Sequence, residues 1–402
     1  MGSAGSTKRI LIIVENLPSP FDRRVWQEST TLLNAGYEVS IICPTGKGYE
    51  KKFEIVEGIH IYRHNLPLEA EGALGYALEY SAALFWEFTL AFKVLFTRGF
   101  DAIHACNPPD LIFLVGGFFK IFFGKKFLFD HHDINPELYE AKFGRRDFFY
   151  QLMLLFERLT FKTANVSIAT NESYKKIALE RGGMDPDRVF IVRSGPKLDR
   201  LKIFPPEVAL KCGRKYMVGY VGVMGRQEGL DYLLQAAAHI VQTIGRTDIH
   251  FGLVGGGTSL EGMKHLAQTL GISDYVTFTG RVTDQEMLAM LNTSDVCINP
   301  DVANEMNDKS TMNKIMEYMA LGKPIVQFDM KEGRFTAQEA SLYAINNDAI
   351  DMADKIVSLL DDPMRRKQMG DIGRNRVLNE LEWKYEVPKL LAAYDKLFET
   401  RS

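Results

Sequence analysis

The stretch VRSGPKLDRLKIFPPEVALKCGRKYMVGYVGV, residues 192–223, decides how the 402-residue chain is organised. Its start closes a series of short apolar runs, its middle is rich in Pro, Gly and Lys, and YMVGYVGV (216–223) opens a second series. Pro and Gly interrupt helices and central strands, so the middle reads as a linker between two similar halves. A chain of 402 residues also exceeds the size at which one core keeps growing.

Before the linker, RILIIV (9–14), YEVSIIC (37–43), HIYRH (60–64), DAIHAC (101–106), KFLFD (126–130), VSIAT (166–170) and VFIVR (189–193) alternate with helical patterns such as 25–35 and 148–162. After it, IHFGLVG (249–255), YVTFTG (275–280), DVCINP (295–300) and PIVQFD (324–329) continue the same grammar. Strands with no polar face are covered on both sides, which means parallel sheets with helices on both faces. The expected fold is therefore α/β, with two Rossmann-like, doubly wound parallel-sheet domains facing across a cleft. Their expected bounds are 1–195 and 216–384, joined by 196–215, with a helical segment at 385–402 packing back on the first. Ligands of such sheets bind beyond the carboxyl ends of the strands.

Composition narrows the function. Lys plus Arg number 48 against 51 Asp plus Glu, a net charge of −3, which offers no electrostatic reason for a nucleic-acid partner. Cys43, Cys106, Cys212 and Cys297 form no CxxC pair, against a zinc knuckle or a disulfide framework and in favour of a reduced, cytoplasmic setting. The start, MGSAGSTKR, has no apolar segment of the secretory type. AALFWEFTLAFKVLF (82–96) and LIFLVGGFFKIFF (111–123) fall short of the ~20 apolar residues of a membrane span and are expected to pack as helices. Phe85, Trp86, Phe118, Phe119, Phe122 and Phe123, near Lys120, Lys125 and Lys126, would suit peripheral attachment to the inner face of a membrane, although core packing explains most of them equally well.

Four stretches carry chemistry. In GYVGVMGRQEGLDYLLQAA (219–237), Gly222 and Gly225 end a strand before a helix, where backbone amides favour an anion, and Arg226 adds a fixed charge. The alternative for Arg226 is a surface pair with Glu228. A dinucleotide site would want an acid at the end of the following strand, which instead reads Val254–Gly255–Gly256–Gly257, so NAD is disfavoured. In NDKSTMNKIMEYMALGKPIV (307–326), Met312, Ile315, Met316, Met319 and Ala320 keep the spacing of a core-facing stripe, while Lys314 and Glu317 lie on another face. Ser310 or Thr311 would cap that helix. Its first amides with Lys314 would suit a diphosphate, and Glu317 would accept from ribose hydroxyls; the alternative is a Lys314–Glu317 surface pair.

In FDHHDINPELYEAKFG (129–144), His131, His132 and Asp133 follow a strand, where positioning of a polar substrate fits better than a metal site, since no further ligand lies at a diagnostic spacing. In LPSPFDRRVWQE (17–28), Asp22 would cap the first helix, with Phe21 before it. Arg23 and Arg24 at a helix start oppose its dipole unless an anion or an acid of the same domain compensates.

Taken together, in this order and spacing, these stretches resemble the retaining glycosyltransferases of sequence family 4, of GT-B fold, and among them the bacterial members that build surface polysaccharide. The resemblance covers nearly the whole chain. It implies transfer of a sugar, with retention and without metal or cofactor, from a UDP- or GDP-linked donor to a saccharide or lipid-linked saccharide. By the same resemblance His132 would touch the donor sugar near the reacting carbon. Arg226 and Lys314 would hold the diphosphate, Glu317 the ribose, and Arg281 and Val282 would lie by the base. The glycines Gly222, Gly225, Gly255 and Gly256, with Lys309, Ser310, Thr311 and Met312, would line the donor. Phe21, Arg23, Arg24 and Asp133 would face the acceptor. Two departures stand out: Lys309 replaces the glutamate usual eight residues before Glu317, and Gln227–Glu228 replaces a lysine that usually follows the arginine. The loop Asp301–Asp308 is the place to seek a substitute carboxylate. Two other readings keep the fold: a sugar-nucleotide epimerase or hydrolase, and a non-catalytic partner subunit.

Overall fold

The computed structural model describes residues 7–65, 73–108 and 110–399, with the side chains of 73–80 not described. Part of the start read above as lacking a secretory segment, residues 1–6, lies outside these. The chain forms two compact units, Met1–Arg193 with Val387–Ser402, and Ser194–Glu386.

The first unit is built on β1 (Arg9–Ile13), β2 (Glu38–Pro44), β3 (Phe53–Val56), β4 (Ile59–His64), β5 (Ala102–Cys106), β6 (Lys126–His131), β7 (Val166–Ala169) and β8 (Val189–Ile191). They form an eight-stranded sheet in the order β3-β4-β2-β1-β5-β6-β7-β8. Every pairing is parallel except β3 with β4. β3 was not legible as a strand, and its sequence, FEIV, explains why: Phe53 and Ile55 are exposed on a short edge strand. The central strands are buried on both faces, which is why they read as continuous apolar runs.

The second unit holds β9 (Tyr216–Val221), β10 (Ile249–Val254), β11 (Val276–Gly280), β12 (Val296–Asn299), β13 (Ile325–Phe328) and β14 (Ser341–Ala344). Their order is β11-β10-β9-β12-β13-β14, all parallel. The strand order reverses at β9 and β12, so the switch point where doubly wound sheets bind ligands lies between their carboxyl ends.

Residues 196–215 are not a free tether. The Phe204 amide donates to Asn292 Oδ1 at 3.2 Å, Lys211 Nζ reaches Asp295 Oδ2 at 2.8 Å, and Leu201 is buried in the second unit's core. These polar contacts and three leucines, Leu201 in the core with Leu198 and Leu210 packed against it, fasten the stretch down, while Ile203, Phe204 and Val208 stay exposed.

At Val387 the chain rejoins the first unit. Helix Val387–Phe398 buries Leu390, Ala393, Tyr394 and Leu397, and its Tyr394 ring lies 5.5 Å from that of Tyr37. Leu390 is fully buried, so Leu390→Ala should lower the stability of the first unit by about 2–4 kcal/mol through lost burial and a residual cavity. Chemical denaturation followed by tryptophan fluorescence measures this. An unchanged midpoint would mean that the helix is not docked.

Candidate active site

The second unit's site is assembled at the carboxyl ends of β9, β10, β11 and β12 by close backbone contacts. The Gly222 amide donates to Val254 O at 3.1 Å and the Gly255 amide to Gly280 O at 3.0 Å, so three strand ends meet. A Cβ at Gly255 would stand 1.9 Å from the Gly222 carbonyl oxygen, and φ there is +130°. Gly229, at φ +61°, sits as closely on Pro300, where a Cβ would be 2.0 Å from the carbonyl oxygen. Only glycine permits either approach. Gly256 brings in the turn after β11, because a Cβ there would lie 3.5 Å from Arg281 Cγ. Arg281 is exposed, and Val282 is partly buried against the core.

Helix Asn313–Ala320 completes this wall. Ile315, Met316, Met319 and Ala320 are buried, as their spacing implies, and Met312 is partly buried against the same cluster. Tyr318 joins the helix to two strands: its hydroxyl accepts from the Val221 amide at 2.9 Å and donates to Ile298 O at 3.2 Å. Neither Ser310 nor Thr311 caps the helix. A short preceding helix, Glu305–Lys309, ends at Ser310, and the N-cap position falls on Met312 with no side-chain hydrogen bond. The N-cap residue itself, Met312, therefore offers the first amides of the longer helix no side-chain cap.

Lys314 does not pair with Glu317. Its ammonium is nearly buried, donating to Glu228 and, at 2.8 Å, to Asp301 Oδ1, and it lies 5.0 Å from the centre of the Tyr220 ring. Tyr220 in turn donates its hydroxyl to Glu228 Oε2 at 2.8 Å. Burial alone would lower the pKa of Lys314, but the two carboxylates outweigh it and hold the ammonium above its ordinary range. Burial pushes Asp301 up to about 7, with Lys314 drawing against it. Asp301 and Glu228 were visible in the sequence, one in the loop where a carboxylate was sought and the other as a departure. Their convergence on Lys314 was not, because they lie 13 and 86 residues away from it.

Arg226 does not pair with Glu228 either. It is exposed, beside the glycine turn, and no side-chain hydrogen bond or ion pair is recorded for it among the described residues. Glu317 instead receives the guanidinium of Arg200, which also donates to Asp284 at 3.2 Å. Arg200 belongs to the stretch read as linker, and nothing in its local sequence marked it. Lys309 holds Glu305 at 2.6 Å, one turn before it.

In the first unit, strand alternation separates the paired histidines. His131 is fully buried among Phe129, Phe161 and Tyr174, and burial lowers its pKa to about 3. Asp130 and His132 turn to the other face, where His132 Nε2 lies 2.6 Å from Asp130 Oδ2. Asp133 is partly exposed, and burial raises its pKa. Asp22 caps the first helix by accepting from the Val25 amide at 3.1 Å, and Phe21 and Arg23 are exposed.

The Arg24 guanidinium holds Asp130 Oδ1 at 2.8 Å and Glu28 at 3.1 Å and donates to Val192 O at 2.9 Å, so acids of the same unit compensate its place at a helix start. Two sets of donors lie close enough to share a metal ion: His104, Cys106 and Asp130, and Glu28, Asp130 and His132. Both include Asp130, whose Oδ1 already holds the Arg24 guanidinium at 2.8 Å.

Comparison with known proteins agrees with this architecture. Residues 22–200 match the family model described as Glycosyltransferase Family 4, and residues 215–362 match that of glycosyl transferases group 1. An uncharacterized glycosyltransferase of Methanocaldococcus jannaschii is 24% identical over 292 residues, covering 70% of each chain. Sucrose-phosphate synthase of Thermosynechococcus elongatus superposes with a TM-score of 0.80 at 21% identity, over 97% of this chain and 99% of that one. HepE of Anabaena, solved with UDP and glucose, gives 0.73 at 15% identity, over 96% and 99%. At such identities the structural likeness speaks for the fold, while the family models, one on each half, speak for descent. The chain belongs to glycosyltransferase family 4 and has its GT-B fold.

Proposed function

We propose that the protein transfers a sugar, with retention at the anomeric carbon, from a UDP- or GDP-linked donor to a saccharide or lipid-linked saccharide in glycoconjugate or surface-polysaccharide synthesis. The observation that carries this reading is an exposed Arg226 in a glycine turn that Glu228 and Lys314 tie to a helix whose N-cap, Met312, gives no side-chain cap, at the switch point of the second sheet. That combination favours a diphosphate. The solved complex of HepE with UDP and glucose lends support from a protein of like fold.

In this reading Arg226 and the amides around Gly225 and Asn313 take the diphosphate, while Lys314 sets the position of the glycine loop and of Asp301. Glu317, oriented by Arg200, accepts from the ribose hydroxyls, and Arg281 and Val282 lie by the base. His132 contacts the donor sugar. As the bond from the anomeric carbon to the phosphate oxygen breaks, that oxygen takes the proton of the acceptor hydroxyl and the new bond forms on the same face. No side-chain base and no metal is required, so the protein contributes orientation and charge stabilisation.

Lys314 is a poor target for a test, since removing it would strand two carboxylates and cost about 3–5 kcal/mol of stability. Arg226→Ala and Glu317→Gln are better. Thermal shift against nucleotides and nucleotide sugars should show one base preferred, with ~2.7 kcal/mol of stabilisation at 100 times the dissociation constant. Each substitution should weaken that ligand about tenfold, the worth of a charged hydrogen bond. Undiminished affinity in both would remove the nucleotide from this wall. Donor consumption without any acceptor would favour the epimerase or hydrolase.

We also propose that the first unit rests on a membrane surface. Helices Ala73–Thr97 and Phe113–Phe123 interlock through Phe88, Phe92, Phe118 and Phe119, and they leave Phe85, Phe96, Ile121 and Phe122 exposed. Phe119 is fully buried and Lys120 donates to Thr163 O at 2.6 Å, so these two belong to the packing and not to the exposed face. No helix among the described residues is long and apolar enough to cross a membrane. Ile121→Glu with Phe122→Glu should abolish co-sedimentation with anionic vesicles and leave the melting temperature unchanged. Equal sedimentation of this variant and the wild type would overturn the membrane role of the patch.

A further inference from the structure

Behind His132 lies a line of polar groups that no step of the proposed reaction uses. Tyr394 of helix Val387–Phe398 is 2.7 Å from His104 Nδ1, His104 Nε2 is 3.4 Å from Asp130 Oδ2, and the same oxygen is 2.6 Å from His132 Nε2. All of these groups except His132 are fully buried.

We propose that Asp130, supported by His104 and Tyr394, is a positioning residue that holds His132 in the Nε2–H tautomer and presents Nδ1 as a hydrogen-bond acceptor for a donor-sugar hydroxyl. The importance of that sugar contact rests on the glycosyltransferase reading; the tautomer does not.

Proton placement follows from distances. An imidazole nitrogen and a carboxylate oxygen at 2.6 Å must have a proton between them, since two lone pairs so close would repel. Burial works against the charge of Asp130, but Arg24 and His132 outweigh it and hold the carboxyl well below its usual range, so the proton resides on His132. Arg24 Nε, at 2.9 Å from the same ring nitrogen, then directs its hydrogen to Asp130 Oδ2 at 3.1 Å. Further back, burial lowers the pKa of His104 and raises that of the Tyr394 phenol, so both are neutral and the tyrosine keeps its proton. Tyr394 then donates to His104 Nδ1, and His104 donates from Nε2 to Asp130. Every donor along the line is used once. What remains is His132 Nδ1, for which no partner is recorded among the described residues.

The alternative is a buried ion cluster of Arg24, Glu28 and Asp130 that serves stability alone. It predicts no preferred tautomer at His132. Long-range proton–nitrogen NMR of histidine-labelled protein, above the imidazole titration range and with His132 assigned by His132→Gln, separates the two. The wild type should show His132 as the single Nε2–H tautomer, and Asp130→Asn should give a mixture. A wild-type His132 carrying its proton on Nδ1, or an unchanged Asp130→Asn spectrum, would overturn the proposal.

Should Asp130→Asn fail to fold, Tyr394→Phe tests the far end, because it removes one hydroxyl and keeps the ring. It should shift the His104 resonances towards mixed tautomers, and an unchanged His104 spectrum would overturn the line. In turnover, Asp130→Asn should lower kcat about tenfold with donor KM nearly unchanged, as for other groups that orient a side chain in contact with the reacting ligand. Loss of tautomer control with kcat intact would overturn the positioning role. A wild type with the Nε2–H tautomer that transfers no sugar would sink the glycosyltransferase reading and leave the assignment of Asp130 standing.

Discussion

The candidate donor site depends on one ammonium group. Lys314, on the helix after β12, reaches across to Glu228 in the turn after β9 and to Asp301 at the end of β12. With Tyr318 bound to both strands from the same helix, it fixes where the glycine turn stands relative to the helix start. A buried ion group of this kind stabilises little in itself, because desolvation offsets most of the Coulomb attraction. Its value lies in specifying one arrangement of three chain segments. The two carboxylates also engage Lys314 internally, which leaves the exposed Arg226 and Arg281 as cations that face solvent beside the turn.

Glycine contributes the other half of that constraint. At Gly255 and Gly229 the backbone of one loop lies where a side chain of the next would have to be. These contacts bring three strand ends together closely enough for amides, Arg226 and Arg281 to share one region. A charged residue and a missing side chain thus act together: the first decides the register, the second makes the approach sterically possible.

Much of the fold was legible because both sheets are parallel apart from the β3–β4 edge and their central strands are covered on both faces, so twelve apolar runs stood out between helical patterns. β3 and β14 were not, since each is a short edge strand with partly exposed residues. The stripe of helix Asn313–Ala320 was readable from its period, whereas its start was not: a five-residue helix before it displaced the expected cap from Ser310 to Met312. Site residues were found as types and places, but their partners were not. The Lys314–Glu317 and Arg226–Glu228 pairs suggested by proximity in sequence gave way to Lys314 with Glu228 and Asp301, and to Glu317 with Arg200. Helical neighbours are cheap to pair on a surface; partly buried charges are satisfied by whatever the tertiary fold brings within reach. Arg24 follows the same rule, paired with Asp130 and Glu28.

A crystal structure with the preferred nucleoside diphosphate would test the central claim most directly. The account predicts the two phosphates against Arg226 and the amides at Gly225 and Asn313, with the ribose hydroxyls on Glu317 and Lys314 still bound to Glu228 and Asp301. A nucleotide seated elsewhere on the second unit, with Arg226 and Glu317 untouched, would contradict it.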